Sequence, residues 1–363
     1  MGFRDFGRHF RRGEVLRGGP LRAALRALLA EDYESAEEAL TGLVREDSQD
    51  VDAYLGLASL YRRRGEVGRA IQVHQNLLLR ADLSDDARLE ALIGLAKDFG
   101  RGGFVRRAIA AYEEVLVHDS RHLVALRGLL AGLVSEGEYE RALSVQNRLA
   151  RFETSADPDA EVVLLTRMAA AAQADGEADR SRKLLKRALR KNPSFVEARI
   201  LLGELEAQRG KNKAALAAWR QGAEIGGPSA AAIYPKLTPA FAAVGRSADC
   251  ELFLRELAHK RPGDAELGIA LARVLAHHGD VPGAIGELRR LLHSNPRQLS
   301  IRIELGQLLL SDGPYSAGSS QSRQLEASKE YGELLSMLAG ATAASPGKLR
   351  EAFDDSTPHE RPE

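Results

Sequence analysis

The sequence predicts an all-α protein, a right-handed α-solenoid of about nine helical hairpins, each built from two amphipathic helices. Eight glycines recur at nearly constant spacing, with gaps of 38, 34, 39, 34, 35, 34 and 34 residues: Gly65, Gly103, Gly137, Gly176, Gly210, Gly245, Gly279 and Gly313. Each lies between two apolar segments with helical periodicity. We therefore expect each glycine to form the turn of a hairpin, where a conformation costly for other residues is required.

Three further positions share this register. A small residue stands five positions after seven of the glycines: Ala70, Ala108, Ala142, Ser181, Ala215, Cys250 and Ala284. An apolar residue stands eight positions before each glycine: Leu57, Leu95, Leu129, Met168, Leu202, Leu237, Leu271 and Leu305. A proline that would end the second helix follows three glycines by 17 positions, as Pro193, Pro262 and Pro296. This pattern resembles tetratricopeptide (TPR) repeats, which implies a scaffold for protein partners.

The register divides the chain into repeats that begin near residues 17, 51, 89, 123, 162, 196, 231, 265 and 299. The two longer gaps fit inserts at residues 81–84 and 153–158. We predict a basic N-terminal segment at residues 1–16, a TPR solenoid at 17–338 and a disordered tail at 339–363. The last repeat is expected to hold a long loop from Asp312 to Ser320 and a closing helix from about Leu325 to Leu338.

Composition excludes several classes of function. The chain carries 51 basic and 51 acidic residues, so no net field favours nucleic acid as a partner. The single cysteine, Cys250, excludes an internal disulfide framework and a zinc site of several thiolates, and we predict that it is buried. No nucleophile–base arrangement, phosphate-binding loop or metal motif is present, which argues against an enzyme and predicts no cofactor. Without a long apolar run or a signal peptide, a cytoplasmic protein is expected.

The N-terminal segment is strongly basic. Its first 26 residues contain seven arginines against Asp5 and Glu14, a net charge of +5. The spacing of Phe3, Phe6 and Phe10 would place the three rings on one face of a helix. Such a helix could contact an anionic membrane as a peripheral, interfacial element. The alternative is a disordered basic terminus, since several glycines weaken the helix.

One stretch carries a more specific resemblance. Residues 60–75 read LYRRRGEVGRAIQVHQ, followed by Leu83-Ser84, then residues 95–99 as LAKDF, and Gly103-Phe104. Together these resemble the lipopolysaccharide assembly protein B family of bacterial TPR proteins, most clearly over residues 20–150 and more weakly to about residue 300. The resemblance implies a regulatory adaptor at the inner membrane, which couples a deacetylase of lipid A synthesis to degradation by a membrane-bound AAA+ protease.

Two typical features of that family do not appear in this sequence. Members begin with a transmembrane helix and end in a rubredoxin-like zinc module with two Cys-x-x-Cys pairs, whereas this chain has only Cys250. The resemblance therefore supports the solenoid. A shortened paralogue or a divergent branch fits the sequence equally well, and a generic TPR scaffold of another secretion or chaperone complex is the alternative function.

A basic strip is the candidate site for the partner protein. The first helices of successive repeats line the groove of a TPR protein, and at those positions we find Arg62, Arg63, Lys97, Arg101 and Arg127. Such a strip could bind an acidic helix or a carboxylate-bearing peptide, and the alternative is an ordinary solvated face. His74 and Trp219 share one position on second helices, and we interpret both as packing residues.

Overall fold

The computed structural model describes residues 20–153, 157–310 and 320–344, in which eighteen α-helices and no strands occur. The prediction of an all-α helical solenoid is confirmed. The chain forms two compact units, Met1–Ala171 and Ala172–Glu363. The first nine helices are α1 (Pro20–Leu29), α2 (Tyr33–Glu46), α3 (Val51–Arg64), α4 (Val67–Leu78), α5 (Asp85–Arg101), α6 (Val105–His118), α7 (Leu123–Ser135), α8 (Tyr139–Leu149) and α9 (Ala160–Ala174). The other nine are α10 (Ala178–Lys191), α11 (Val196–Gln208), α12 (Asn212–Ile225), α13 (Tyr234–Ala243), α14 (Ser247–Lys260), α15 (Ala265–His277), α16 (Val281–Ser294), α17 (Leu299–Leu310) and α18 (Ser320–Ala344).

The turn within each of the first eight hairpins is left-handed at one residue. Seven of the eight predicted glycines have φ between 70° and 90°, namely Gly65, Gly103, Gly137, Gly176, Gly210, Gly245 and Gly279. Gly313 lies outside the described residues. The first hairpin, α1–α2, uses Glu31 with φ 57° at the equivalent position. A search for recurring glycines misses this turn, because a glutamate occupies it although the spacing to Gly65 is again 34 residues.

The small residues of the second helices are buried, as their register predicts. All seven are between 0% and 4% exposed: Ala70, Ala108, Ala142, Ser181, Ala215, Cys250 and Ala284. A small side chain at this point allows the helices to pack closely, so the register that the glycines define is also the register of the core.

Side-chain caps fix where several first helices begin. The carboxylate of Asp50 accepts a hydrogen bond from the backbone N–H of Ala53 at the start of α3, and Ser84 does the same for α5. The cap at Ser84 sets the start of α5 at Asp85, four residues before the repeat start predicted at residue 89. Residues 81–84, the predicted insert, form the loop before that helix.

In the first unit, glycines on first helices accommodate large side chains from the preceding second helix. A Cβ atom at Gly94 would lie 2.1 Å from Nε2 of His74, and one at Gly128 would lie 2.2 Å from the Tyr112 ring. A Cβ atom at Gly56 would lie 3.0 Å from Leu40. Only glycine fits beneath the two rings, since distances this short do not occur between real atoms.

The last described helix differs from its predicted bounds. We expected a closing helix from Leu325 to Leu338, whereas α18 runs from Ser320 to Ala344. The helix passes the predicted boundary because residues 339–344, AGATAA, are mostly alanine, the strongest helix former. The loop predicted between α17 and α18 and the tail beyond Ala344 lie outside the described residues.

The buried guanidinium of Arg302, on α17, holds α18 in place. Its Nη1 atom lies 2.6 Å from the Glu333 carboxylate and also pairs with Glu330, while Nη2 donates to the carbonyl of Pro296 at 3.0 Å. Arg302 is only 6% exposed, so this cluster is part of the helix contact.

None of the described helices is both long enough and apolar enough to span a bilayer.

Candidate partner-binding surface

Three successive first helices of the first unit, α3, α5 and α7, lie side by side, with α3 against α5 and α5 against α7. The five predicted cations lie on these helices. Arg62 and Arg63 are in the last turn of α3, Lys97 and Arg101 are one turn apart at the end of α5, and Arg127 is on α7. The helices therefore bring the predicted residues onto neighbouring elements, but the five side chains have different surroundings.

Arg62 is bound within the chain. Its Nη1 atom donates to Oδ1 of Asp98 at 2.6 Å and to the carbonyl of Gly94 at 3.3 Å. Its Nη2 atom donates to the Ser59 hydroxyl at 3.1 Å, and the side chain is 20% exposed. Arg62 thus connects α3 to α5, and much of its hydrogen-bonding capacity is used inside the protein.

Asp98 lies at the centre of a buried polar cluster. It is 0% exposed, and its Oδ2 atom lies 2.5 Å from Nδ1 of His74, which is 2% exposed. Burial, together with the Asp98 carboxylate, raises the pKa of the nearby Tyr112 hydroxyl, while Arg62 acts in the opposite direction. His74 is therefore a packed residue with a carboxylate partner. Within the described chain no group of three or more His, Cys, Asp or Glu could hold a metal ion.

The remaining cations of α3 and α5 are closer to solvent. Arg63 is exposed and Lys97 is half-buried, and each has an interaction within the chain. Arg101 is exposed and forms no ion pair with any described residue. It lies one turn from Lys97 on the same face of α5. Because no described carboxylate pairs with Arg101, its guanidinium donors are available to a carboxylate of another molecule.

Arg127 pairs with a carboxylate of its own unit. Its Nη2 atom hydrogen-bonds to Glu153, which follows α8, and the side chains of Arg127 and Glu153 are 49% and 16% exposed. Part of the hydrogen-bonding capacity of Arg127 is therefore used within the chain. Of the five predicted cations, Arg101 at the end of α5 is the one without an ion pair among the described residues.

Two cations on first helices of the second unit are matched by carboxylates. Arg273 on α15 lies 2.6 Å from Glu304 on α17, and Lys236 on α13 lies 2.8 Å from Glu204 on α11. A groove of about 210 Å³ between α13 and α15 is lined by Ala231, Tyr234, Pro235, Thr238, Glu266, Ile269, Ala270 and Arg273. This surface is neutral and partly apolar, so a strongly acidic segment would find no surplus of positive charge there.

One important residue of this region was not predicted from the sequence. Asp98 occupies a position where periodicity predicts an apolar core residue, and nothing in a single sequence shows that its partners are Arg62 and His74. The pairing requires knowledge that α3, α4 and α5 meet at this point.

The predicted membrane contacts lie outside the described residues, namely Phe3, Phe6 and Phe10.

Comparison with protein families identifies the repeat. A model described as tetratricopeptide repeat matches residues 75–298, and a second model of the same description matches residues 21–87. The chain belongs to the tetratricopeptide repeat family. Proteins of this family are typically scaffolds, and no catalytic family is indicated.

The resemblance inferred from residues 60–104 is also confirmed. The chain is 25% identical over 249 residues to lipopolysaccharide assembly protein B of Escherichia coli strain K12, which covers 68% of this chain and 64% of that protein. The protein of the same name from Escherichia coli O157:H7 gives the same values. The chain therefore spans less than two thirds of the length of these relatives.

The solved structures that the chain matches are more distant in sequence. A TPR protein from Parabacteroides merdae is 14% identical, with a TM-score of 0.38, over 80% of this chain and 97% of that chain. The MamA protein of Desulfovibrio magneticus RS-1 is 18% identical, with a TM-score of 0.35, over 49% of this chain and 95% of that chain.

Proposed function

We propose that this protein is a non-catalytic adaptor whose first unit binds an acidic segment of a partner protein at the end of α5. The observation that carries the proposal is Arg101, an exposed guanidinium without an ion pair among the described residues, one turn from Lys97. Arg63 on the adjacent helix α3 adds a third cation. A carboxylate-rich helix or peptide supplies the complementary charge, and charge-assisted hydrogen bonds to Arg would orient it.

The proposed role is regulation of lipopolysaccharide synthesis or assembly. The similarity to lipopolysaccharide assembly protein B supports it, and it extends over most of this chain. In this role the partners are a lipid A biosynthetic enzyme and an AAA+ protease, and the protein acts in the cytoplasm, peripherally at the inner membrane. Capture of a different secretion or chaperone complex from the native host would replace this role with that of a general TPR scaffold.

The test is an affinity measurement on a charge-reversed surface. A pull-down from the native host identifies the partner, and calorimetry then compares wild-type protein with the double variant Arg63→Glu, Arg101→Glu. We expect binding to weaken by about 2 kcal/mol or more, because each reversal replaces an attraction with a repulsion. The fold should remain intact, since exposed charges contribute little to stability.

A second double variant controls for net charge. Lys186→Glu with Lys213→Glu changes the charge of the chain by the same amount at exposed positions of α10 and α12. This variant should bind the partner with nearly wild-type affinity. If both double variants weaken binding equally, only the overall field matters. If neither does, the partner binds elsewhere.

The basic segment at residues 1–12 provides a separate test of membrane contact. If Phe3, Phe6 and Phe10 form the apolar face of an interfacial helix, the protein binds anionic vesicles, and added salt weakens the binding. Vesicle sedimentation compares the full chain with a variant lacking residues 1–12. Equal binding by the two proteins would assign the affinity to another surface.

A further inference from the structure

Helix α10 concentrates positive charge in a way that the other described second helices do not. Its 14 residues include seven arginines and lysines and one acid, Asp179, which gives a net charge of +6. The helices α2, α4, α6, α8, α12, α14, α16 and α18 have net charges between −3 and +1. Because the whole chain is neutral, this charge is a local feature of the second unit.

Four of these cations form a stripe along one face of α10, which we call the α10 stripe. They follow the spacing i, i+3, i+4 and i+7, which places side chains in line on an α-helix: Lys183, Lys186, Arg187 and Arg190. Arg187 is half-buried, and the other three are exposed. The residues that hold α10 against the core lie on the opposite face and are 0% exposed, namely Ser181, Leu185 and Ala188. The α10 stripe therefore points away from the core of the second unit.

The carboxylates near α10 pair with cations outside the stripe. Glu206 pairs with Arg182 on the flank of the helix. Asp179 lies 2.8 Å from Arg209. Three members of the stripe form no ion pair with any described residue: Lys183, Lys186 and Arg190. Like charges three and four residues apart repel one another along a helix, so the stripe costs stability that an anionic partner would restore.

The composition of α10 distinguishes among anionic partners. Protein interfaces have a centre of apolar and aromatic side chains, whereas every exposed residue of α10 is charged. Binding of single-stranded nucleic acid relies on aromatic side chains against which bases stack, and α10 has none. An anionic bilayer requires neither feature, because its headgroups form a continuous layer of charge that a row of cations contacts in any register.

We propose that the α10 stripe is a contact surface for an anionic lipid bilayer. Helix α10 lies along the bilayer surface, and the four long side chains of the stripe reach the phosphates of the lipid headgroups. The inference deepens the peripheral membrane location proposed above, and it needs no partner protein. The surface belongs to the second unit, whereas residues 1–12 and Arg101 belong to the first.

Vesicle sedimentation tests the stripe in the full chain and in the variant lacking residues 1–12, in which the N-terminal segment cannot contribute. Both proteins should bind vesicles of phosphatidylglycerol and phosphatidylcholine at low salt, and neither should bind phosphatidylcholine alone. In the shortened protein, Lys183→Gln with Arg190→Gln should weaken binding by about tenfold or more, because each cation near an anionic leaflet contributes about fivefold. This double variant should fold at least as well as its parent, since it relieves repulsion within α10.

A matched double variant controls for the loss of charge. Lys260→Gln with Arg297→Gln removes one lysine and one arginine at exposed positions of the second unit that also form no ion pair with described residues. It should bind vesicles as its parent does. Equal weakening by the two double variants would overturn the proposal, and so would a shortened protein that binds no anionic vesicles.

Two further measurements separate this proposal from its alternatives. Duplex RNA that binds more tightly than the vesicles, and that Lys183→Gln with Arg190→Gln releases, would identify a nucleic acid as the partner and overturn the lipid contact. Calorimetry of the same double variant with the partner of the first unit should give the wild-type affinity. Loss of vesicle binding and loss of partner binding are therefore separate outcomes, and each proposal can fail without the other.

Discussion

The Nη1 atom of Arg62, on α3, lies 2.6 Å from Oδ1 of Asp98, which is fully buried on α5. The pair connects two neighbouring repeats. Replacing Arg62 with leucine leaves a buried carboxylate with only His74 beside it, and we expect the free energy of unfolding to fall by about 3 kcal/mol. Urea denaturation measures the loss. Arg101→Leu is the matched control on the same surface, and it should change stability by about 0.5 kcal/mol or less.

The same pair predicts a coupling energy. The double variant Arg62→Leu, Asp98→Leu removes both charges, so no unpaired carboxylate remains in the core. Its loss of stability should be smaller than the sum of the two single losses. If the losses add within error, Arg62 acts through its aliphatic stem and not through its charge.

Glu31 is a position at which the protein should become more stable. Its φ of 57° is left-handed, where glycine has no steric cost, and its side chain is exposed. We expect Glu31→Gly to raise the free energy of unfolding by about 0.5–1 kcal/mol. Gly65→Ala, at the equivalent turn with φ 82°, should lower it by a similar amount. Thermal unfolding of the two variants should therefore shift in opposite directions.

The buried small residues predict a strong dependence on position within a single helix. Ala108 is 4% exposed on α6, and arginine at this position would force a charge between closely packed helices. The expected loss is about 3 kcal/mol or more. Ala110, two residues further along α6, is exposed, and Ala110→Arg should have little effect on the thermal midpoint. Similar midpoints for the two variants would show that the register is wrong.

Cys250 gives a prediction about pH. Burial raises the pKa of its thiol above the ordinary 9.0, so just above pH 9.0 the thiolate forms in the unfolded chain but not in the folded one. The unfolded state then binds fewer protons, and stability falls as pH rises, by at most about 1.4 kcal/mol per unit. Above pH 9.0 the free energy of unfolding of wild type should therefore fall relative to that of Cys250→Ala. A constant difference from pH 7 to 10 would contradict this prediction.

The repeat register was predictable because it depends on local chemistry. A left-handed turn selects glycine, and a close helix contact selects a small residue, so Gly103 and Ala108 identify a hairpin without knowledge of its neighbours. The site was less predictable because it depends on contacts between helices. Arg62 and Arg101 look alike in the sequence, yet one is bound to Asp98 and the other has no ion pair among the described residues. The C-terminal bound of α18 was missed because the alanine-rich residues 339–344 continue the helix.

The fit between large side chains and glycines in the first unit also limits how the gene for such a protein can change. His74 packs over Gly94, and Tyr112 packs over Gly128, each ring in a space that any Cβ would fill. The position equivalent to these glycines in the fifth repeat is Arg167. Deleting the third and fourth repeats would keep every turn in register and still place the His74 ring against an arginine. A repeat that follows one of these rings must therefore carry glycine at this position, so recombination can join repeats here only where ring and glycine still meet.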